Sequence, residues 1–112
     1  MKKMMVSIAL VVGMLAGGAA HSQNIANSVC TSIETISENV MAMRQIGASE
    51  HMVRSNLMPS VSNRDVKKVL DAVIDDAYAR PVYDNDYQRD RAAESFAREK
   101  YQQCLIAFGQ AS

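Results

Sequence analysis

The chain has 112 residues, 12 Lys+Arg against 12 Asp+Glu, 48% apolar and 21% charged residues. That length suits one domain, and the balanced charge excludes a nucleic-acid binder that works by bulk basicity. The apolar fraction excludes a disordered acidic or basic tail.

The N-terminus reads as an export signal. Met1, Lys2 and Lys3 form a short positive region, and Met4 to Leu15 is almost wholly apolar. Ala16, Gly17, Gly18, Ala19 and Ala20 follow. This order is that of a cleaved secretory signal peptide, and its apolar core of about twelve residues falls short of the ~20 that span a bilayer. An uncleaved anchor is the weaker reading. Cleavage after Ser22 is preferred, with Ala20 as the other position, so residues 1–22 are the signal peptide and 23–112 a single helical domain. No cysteine follows the small-residue run, which argues against lipoprotein processing. Loss of Lys2 and Lys3 leaves ten basic against twelve acidic residues, a net charge of −2. The dilysine start and short core point to a bacterial periplasm, where a disulfide persists.

Four helices and no strand are expected in the remainder. The first covers about Asn24 to Ile46, with Ile25, Val29, Ile33, Ile36, Val40 and Met43 as its apolar stripe. Gly47 suits a left-handed C-terminal cap, and Arg44 in the last turn complements the helix dipole. A short second helix starts at the N-cap Ser49 and ends at Pro59, with Met52, Val53, Leu57 and Met58 on its apolar side. The third opens on a capping-box-like Ser62-Asn63-Arg64-Asp65. Val66, Val69, Leu70, Val73, Ile74 and Ala77 form its stripe, and Arg80-Pro81 stops it. Val82 and Tyr83 form an extended link. Asp84, Asn85 or Asp86 caps the fourth helix, which buries Ala93, Phe96, Ala97, Tyr101, Cys104, Leu105 and Phe108 and stops at Gly109. Glu94 and Arg98 add an exposed pair on it.

Short loops favour antiparallel neighbours. The fold class is therefore all-α, a small antiparallel bundle of three to four helices. Cys30 lies near the start of the first helix and Cys104 near the end of the last, so antiparallel packing brings them level. One disulfide follows, worth about 4 kcal/mol in the chain-entropy model. Two buried free thiols are the alternative.

The residue types that carry catalysis are sparse. His51 is the only histidine outside the leader, and a Cys-His nucleophile needs a free thiolate. Met41, Met43, Met52 and Met58 with His51 suggest a soft copper site, but methionine more often fills irregular cores. Asp71, Asp75 and Asp76 lie on a polar, solvated helix face, whereas an acid–base pair needs one buried carboxyl. Asp84-Asn85-Asp86 lacks the glycine and closing glutamate of a calcium loop. Arg89, Arg91 and Arg98 alternate with Asp90, Glu94 and Glu99, which is a mixed-charge solvated face. No catalytic residue, cofactor or metal is expected, nor a nucleic-acid partner or a stable membrane span after cleavage.

Met41-x-x-Arg44-Gln45-x-Gly47, Ala77-Tyr78-x-x-Pro81-x-Tyr83, Gln88, Phe96 and Tyr101-x-x-Cys104 occur in that order, with Cys30 upstream. This order resembles a family of small exported two-cysteine helical proteins of Gram-negative bacteria and their prophages, to which no activity is attached. The resemblance implies architecture and export. Arg44 and Gln45 either bond loop carbonyls or the Pro81 link, or join Tyr78 and Tyr83 in an exposed recognition patch, since Arg and Tyr often anchor interfaces. The expected function is non-enzymatic binding of an envelope or periplasmic protein, of inhibitor or immunity type. The alternative is a periplasmic stress chaperone, similar in kind to small acid-activated chaperones of about ninety residues, whose cysteines lie closer together than Cys30 and Cys104.

Overall fold

In a computed structural model, the backbone is described for residues 17–111 and the side chains for residues 25–109. Four α-helices follow in order: α1 Gly17–Gln45, α2 Glu50–Leu57, α3 Arg64–Tyr78 and α4 Asp86–Ala111, with a 3-10 turn at Met58–Ser60 after α2. No strand occurs among the described residues. The run of expected leader residues 1–16 lies outside them.

α1 and α4 are the long elements and form the most extensive interface. They run antiparallel. Cys30 near the start of α1 is joined to Cys104 near the end of α4, with the two Cα atoms 5.5 Å apart. At the other end, Gln45 closes α1 beside the residues that lead into α4. α3 lies against α1, and the short α2 touches both.

The helix boundaries follow local chemistry. Among the described residues α1 is already helical at Gly17, seven residues before the expected Asn24, so the helix runs across both expected cleavage positions. Ala19 and Ala20 are strong helix formers and no proline interrupts the segment. At its C-terminus Gly47 has φ +91°. The Gly47 amide bonds the Arg44 carbonyl at 3.1 Å, and the Ala48 amide bonds the Met43 carbonyl at 3.0 Å. That pair of bonds is the Schellman closure, and the left-handed residue it needs is the glycine. Ser49 caps α2 by accepting from the Met52 amide.

Two of the next three boundaries differ from expectation, and the third, at Asn85, is one of the three caps expected for α4. α3 is capped by Asn63, not Ser62, through the Val66 amide at 3.0 Å. Asparagine caps as well as serine, and the frame moves by one residue. Asn85 caps α4 by accepting from the Gln88 amide at 2.8 Å. Gly109 does not stop α4, which continues to Ala111.

The core is drawn from all four helices: Val40 and Met41, Val53, Val73, Ile74 and Ala77, and Ala93 and Phe96. The buried seam of α1 is Ala26, Cys30, Ile33, Ser37, Val40 and Met41. The expected Ile25 and Val29 are exposed instead. The seam is rotated because Cys30 must face Cys104. Small side chains at Ala26 and Ser37 on α1, with Ala93 and Ala97 on α4, suit close helix approach. Val69, expected in the α3 stripe, is also exposed. It borders a groove of about 410 Å3 between α1, α3 and α4, with Val29, Val66, Lys100 and Cys104 among its walls.

Removing the bridge tests how far it holds this pair. Replacing Cys30 or Cys104 with Ser should cost about 2–5 kcal/mol, the range for a native bridge in a small exported domain. Denaturant unfolding of the oxidised protein and of each variant measures it. A cost below about 0.5 kcal/mol, an ordinary surface effect, would show that the α1–α4 interface stands without the bridge.

Candidate functional site

The end of the bundle opposite the disulfide gathers the corner after α1 and the link between α3 and α4. The link has little regular backbone bonding of its own. Its carbonyls and amides are taken up by side chains from α1 and α4. Arg44 donates from Nε and Nη2 to the Arg80 carbonyl at 3.0 and 2.8 Å. Gln45 donates from Nε2 to the Pro81 carbonyl at 2.8 Å and accepts at Oε1 from the Tyr83 amide at 2.9 Å. The same Gln45 amide group also reaches the Met41 sulfur at 3.4 Å. Arg89 donates to the Tyr83 carbonyl at 2.7 Å. Tyr78 donates its hydroxyl to the Ala48 carbonyl at 2.8 Å, which ties the α1–α2 corner to the end of α3. The Arg44 guanidinium lies 5.2 Å from the centre of the Tyr78 ring. Burial pushes the Tyr78 phenol above its ordinary pKa, consistent with a hydroxyl held neutral as a donor.

The four side chains expected at a recognition patch therefore divide. Gln45 is 3% exposed, so it is no part of an exposed patch. Its amide is fully used inside the molecule. Arg44 and Tyr78 are half-buried and bonded to backbone. These three form a latch that joins the two bends. Tyr83 is 38% exposed, and its backbone alone belongs to the latch.

The latch presents a set of large apolar side chains to solvent. Ile46 and Tyr87 are each 72% exposed, and Val82 is 44% exposed. Neither Ile46 nor Tyr87 was singled out by the sequence reading, although the helical period carries the signal. Tyr87 lies nine residues before the buried Phe96, which is half a turn off its face. Ile46 is similarly out of phase with Val40 and Met41.

The remaining polar groups form ion pairs. Arg54 bonds Glu50 at 2.9 Å and also bonds Asp71 and Asp75, which staples α2 to α3. Asp76 is not on a freely solvated face as expected. Arg80 bonds it at 2.8 Å and Glu99 at 2.9 Å, and Lys100 bonds it as well. Arg80 and Lys100 lie 5.0 and 5.1 Å from the centre of the Phe96 ring. This cluster joins α3 to α4 over a buried aromatic. Glu94 pairs with Arg91 at 3.7 Å, and no Glu94–Arg98 pair occurs among the described residues.

Met41 is buried in the core while Met52 is exposed. His51 is exposed and lies 3.4 Å from the Ser55 hydroxyl. Among the described residues, no group of three or more His, Cys, Asp or Glu is placed to hold a metal ion. No described helix is long and apolar enough to cross a membrane. No family model matches the chain, and neither a curated protein nor a solved structure shows significant similarity to it.

The Asp76 cluster makes stability depend on acid. The hydrogen bond from Arg80, the largest influence, holds the Asp76 carboxyl below its ordinary pKa, with Lys100 adding to it against the opposing effect of burial. A carboxyl whose folded pKa is lowered stabilises the fold above its unfolded pKa, near 4, and loses that contribution as pH falls through the folded value. Asp76→Asn should therefore be less stable than the native chain at pH 7, and the gap should close as pH falls from about 5 to 2. Chemical denaturation across that range measures it, and a gap independent of pH would contradict the assignment.

Proposed function

We propose that the chain is a small exported, periplasmic protein that acts by binding another protein, of inhibitor or immunity type, and not by catalysis. The observation that carries this reading is the latch end of the bundle. Arg44 and Gln45 are consumed in fixing the link and Tyr78 in holding the α1–α2 corner, while Tyr83 and Val82 on the link, with Ile46 and Tyr87 beside it, are left facing solvent. Tyrosine on a rigid support is a common interface anchor because it brings large area at low entropy cost. Exposed apolar groups gathered at one place mark interaction surfaces in soluble proteins. The disulfide is compatible with an oxidising compartment, as is the expected leader.

The test separates holding from binding. Tyr83→Ala should weaken the complex with the protein partner captured from the envelope by about tenfold, roughly 1.4 kcal/mol, while leaving the melting temperature nearly unchanged. Gln45→Ala should lower stability by about 1–3 kcal/mol, because it leaves the Pro81 carbonyl and Tyr83 amide without their partner. Calorimetry of folding and of binding on both variants provides the two readouts. Undiminished binding by Tyr83→Ala would move the interface away from this end.

A further inference from the structure

We infer that the latch end receives a cationic segment of the partner protein, a surface bearing Arg or Lys beside an apolar residue. The inference rests on the binding role proposed above and adds the chemistry of the occupant. Two observations on the same stretch lead to it.

The first is where the cations of this protein already lie. The ring of Tyr78 carries Arg44, and the ring of Phe96 carries both Arg80 and Lys100. Among the described residues, Tyr83 and Tyr87 carry no cation. Their rings hold the same negative quadrupole, and Tyr87 is 72% and Tyr83 38% exposed, so both have surface to offer a guanidinium or ammonium group.

The second is the charge around those rings. Asp84, Asp86 and Asp90 lie within seven residues of one another, with Arg89 as the cation among them. Arg89 is engaged by the Tyr83 carbonyl at 2.7 Å and by Asp86 at 3.5 Å. Asp84 and Asp90 have no ion-pair or hydrogen-bond partner among the described residues. Arg44 is directed inward to the Arg80 carbonyl. The balance of uncommitted charge beside Tyr83 and Tyr87 is therefore acidic. Open aromatic faces next to free carboxylates bind a cation twice, through the ring and through a charge-assisted hydrogen bond. Ile46 and Val82 at the same end supply contact area for an apolar neighbour.

The probe is a capped five-residue peptide of alternating leucine and arginine, titrated into the oxidised protein and followed by amide chemical shifts. Shifts should map to residues 46 and 82–90. The affinity should fall roughly fivefold on moving from low to high salt, as for exposed charges. Replacing arginine with citrulline in the peptide should weaken binding about tenfold, and so should Tyr87→Ala or the pair Asp84→Asn with Asp90→Asn. Their melting temperatures should match the native chain. Shifts confined to other surfaces, equal binding of the citrulline peptide, or indifference to these variants would overturn the inference. A photo-cross-linking amino acid at position 87 keeps the two proposals apart. A partner captured through a contact peptide without Lys or Arg overturns the cationic occupant and leaves the binding role standing. If the peptide fails to bind and position 87 captures no protein, both fall.

Discussion

The Gln45 carboxamide is the interaction on which the geometry of the latch end depends. The link between α3 and α4 cannot order itself. Pro81 has no amide to donate, and the residues after it are solvent-exposed. One carboxamide supplies what is missing. It donates to the carbonyl of Pro81 and accepts from the amide of Tyr83, two residues further on. A side chain of the other sort, such as glutamate or leucine, lacks one or both of those functions. Because Gln45 itself is held in the last turn of α1, the link is referred directly to the rigid part of the bundle. Arg44, one residue earlier, takes the Arg80 carbonyl, so consecutive α1 residues grip consecutive carbonyls of the link.

The opposite end is fixed by different physics. There a covalent bridge joins α1 to α4, and its stabilising effect falls mainly on the unfolded chain. Between the two ends, Phe96 sits in the core with the Arg80 and Lys100 cations on it and with Asp76 joining those cations. Burial of an aromatic supplies area, and the charged cover leaves Phe96 only 1% exposed. Arg80 serves both systems. Its side chain belongs to the Asp76 cluster, while its carbonyl belongs to the latch. A change in one is therefore felt by the other.

Much of this was legible from the residues. Helical periodicity marked all four helices, Gly47 marked the reversal after α1, and the positions of Cys30 and Cys104 agreed with an antiparallel bundle. The errors have physical causes. Periodicity puts the α1 stripe on Ile25 and Val29 because they are large, whereas the disulfide and close helix approach select Ala26, Cys30 and Ser37. The sequence offers Ser62 as the α3 cap one residue before Asn63 because serine and asparagine are both good caps, and only the following chain geometry decides between them. At the candidate site, Arg44 and Gln45 were visible as residues with something to bond. Which of them would be buried was not, since burial of a glutamine depends on carbonyls 36 positions away. Asp76 looked solvated because its cations come from the end of α3 and from α4, not from its own helical turn alone.

A division of labour follows in which buried polar groups hold the link and exposed aromatics on it are free to meet a partner. The division stands or falls on whether the Gln45 bond is present in solution. Amide hydrogen exchange at Tyr83 reports it most directly, because the Tyr83 amide donates to the Gln45 carboxamide oxygen and to no backbone acceptor of a helix. In the native protein that amide should be protected by roughly a hundredfold over a free peptide, although it lies outside every helix. Exchange at the free-peptide rate, with α1 and α4 still protected, would contradict the account.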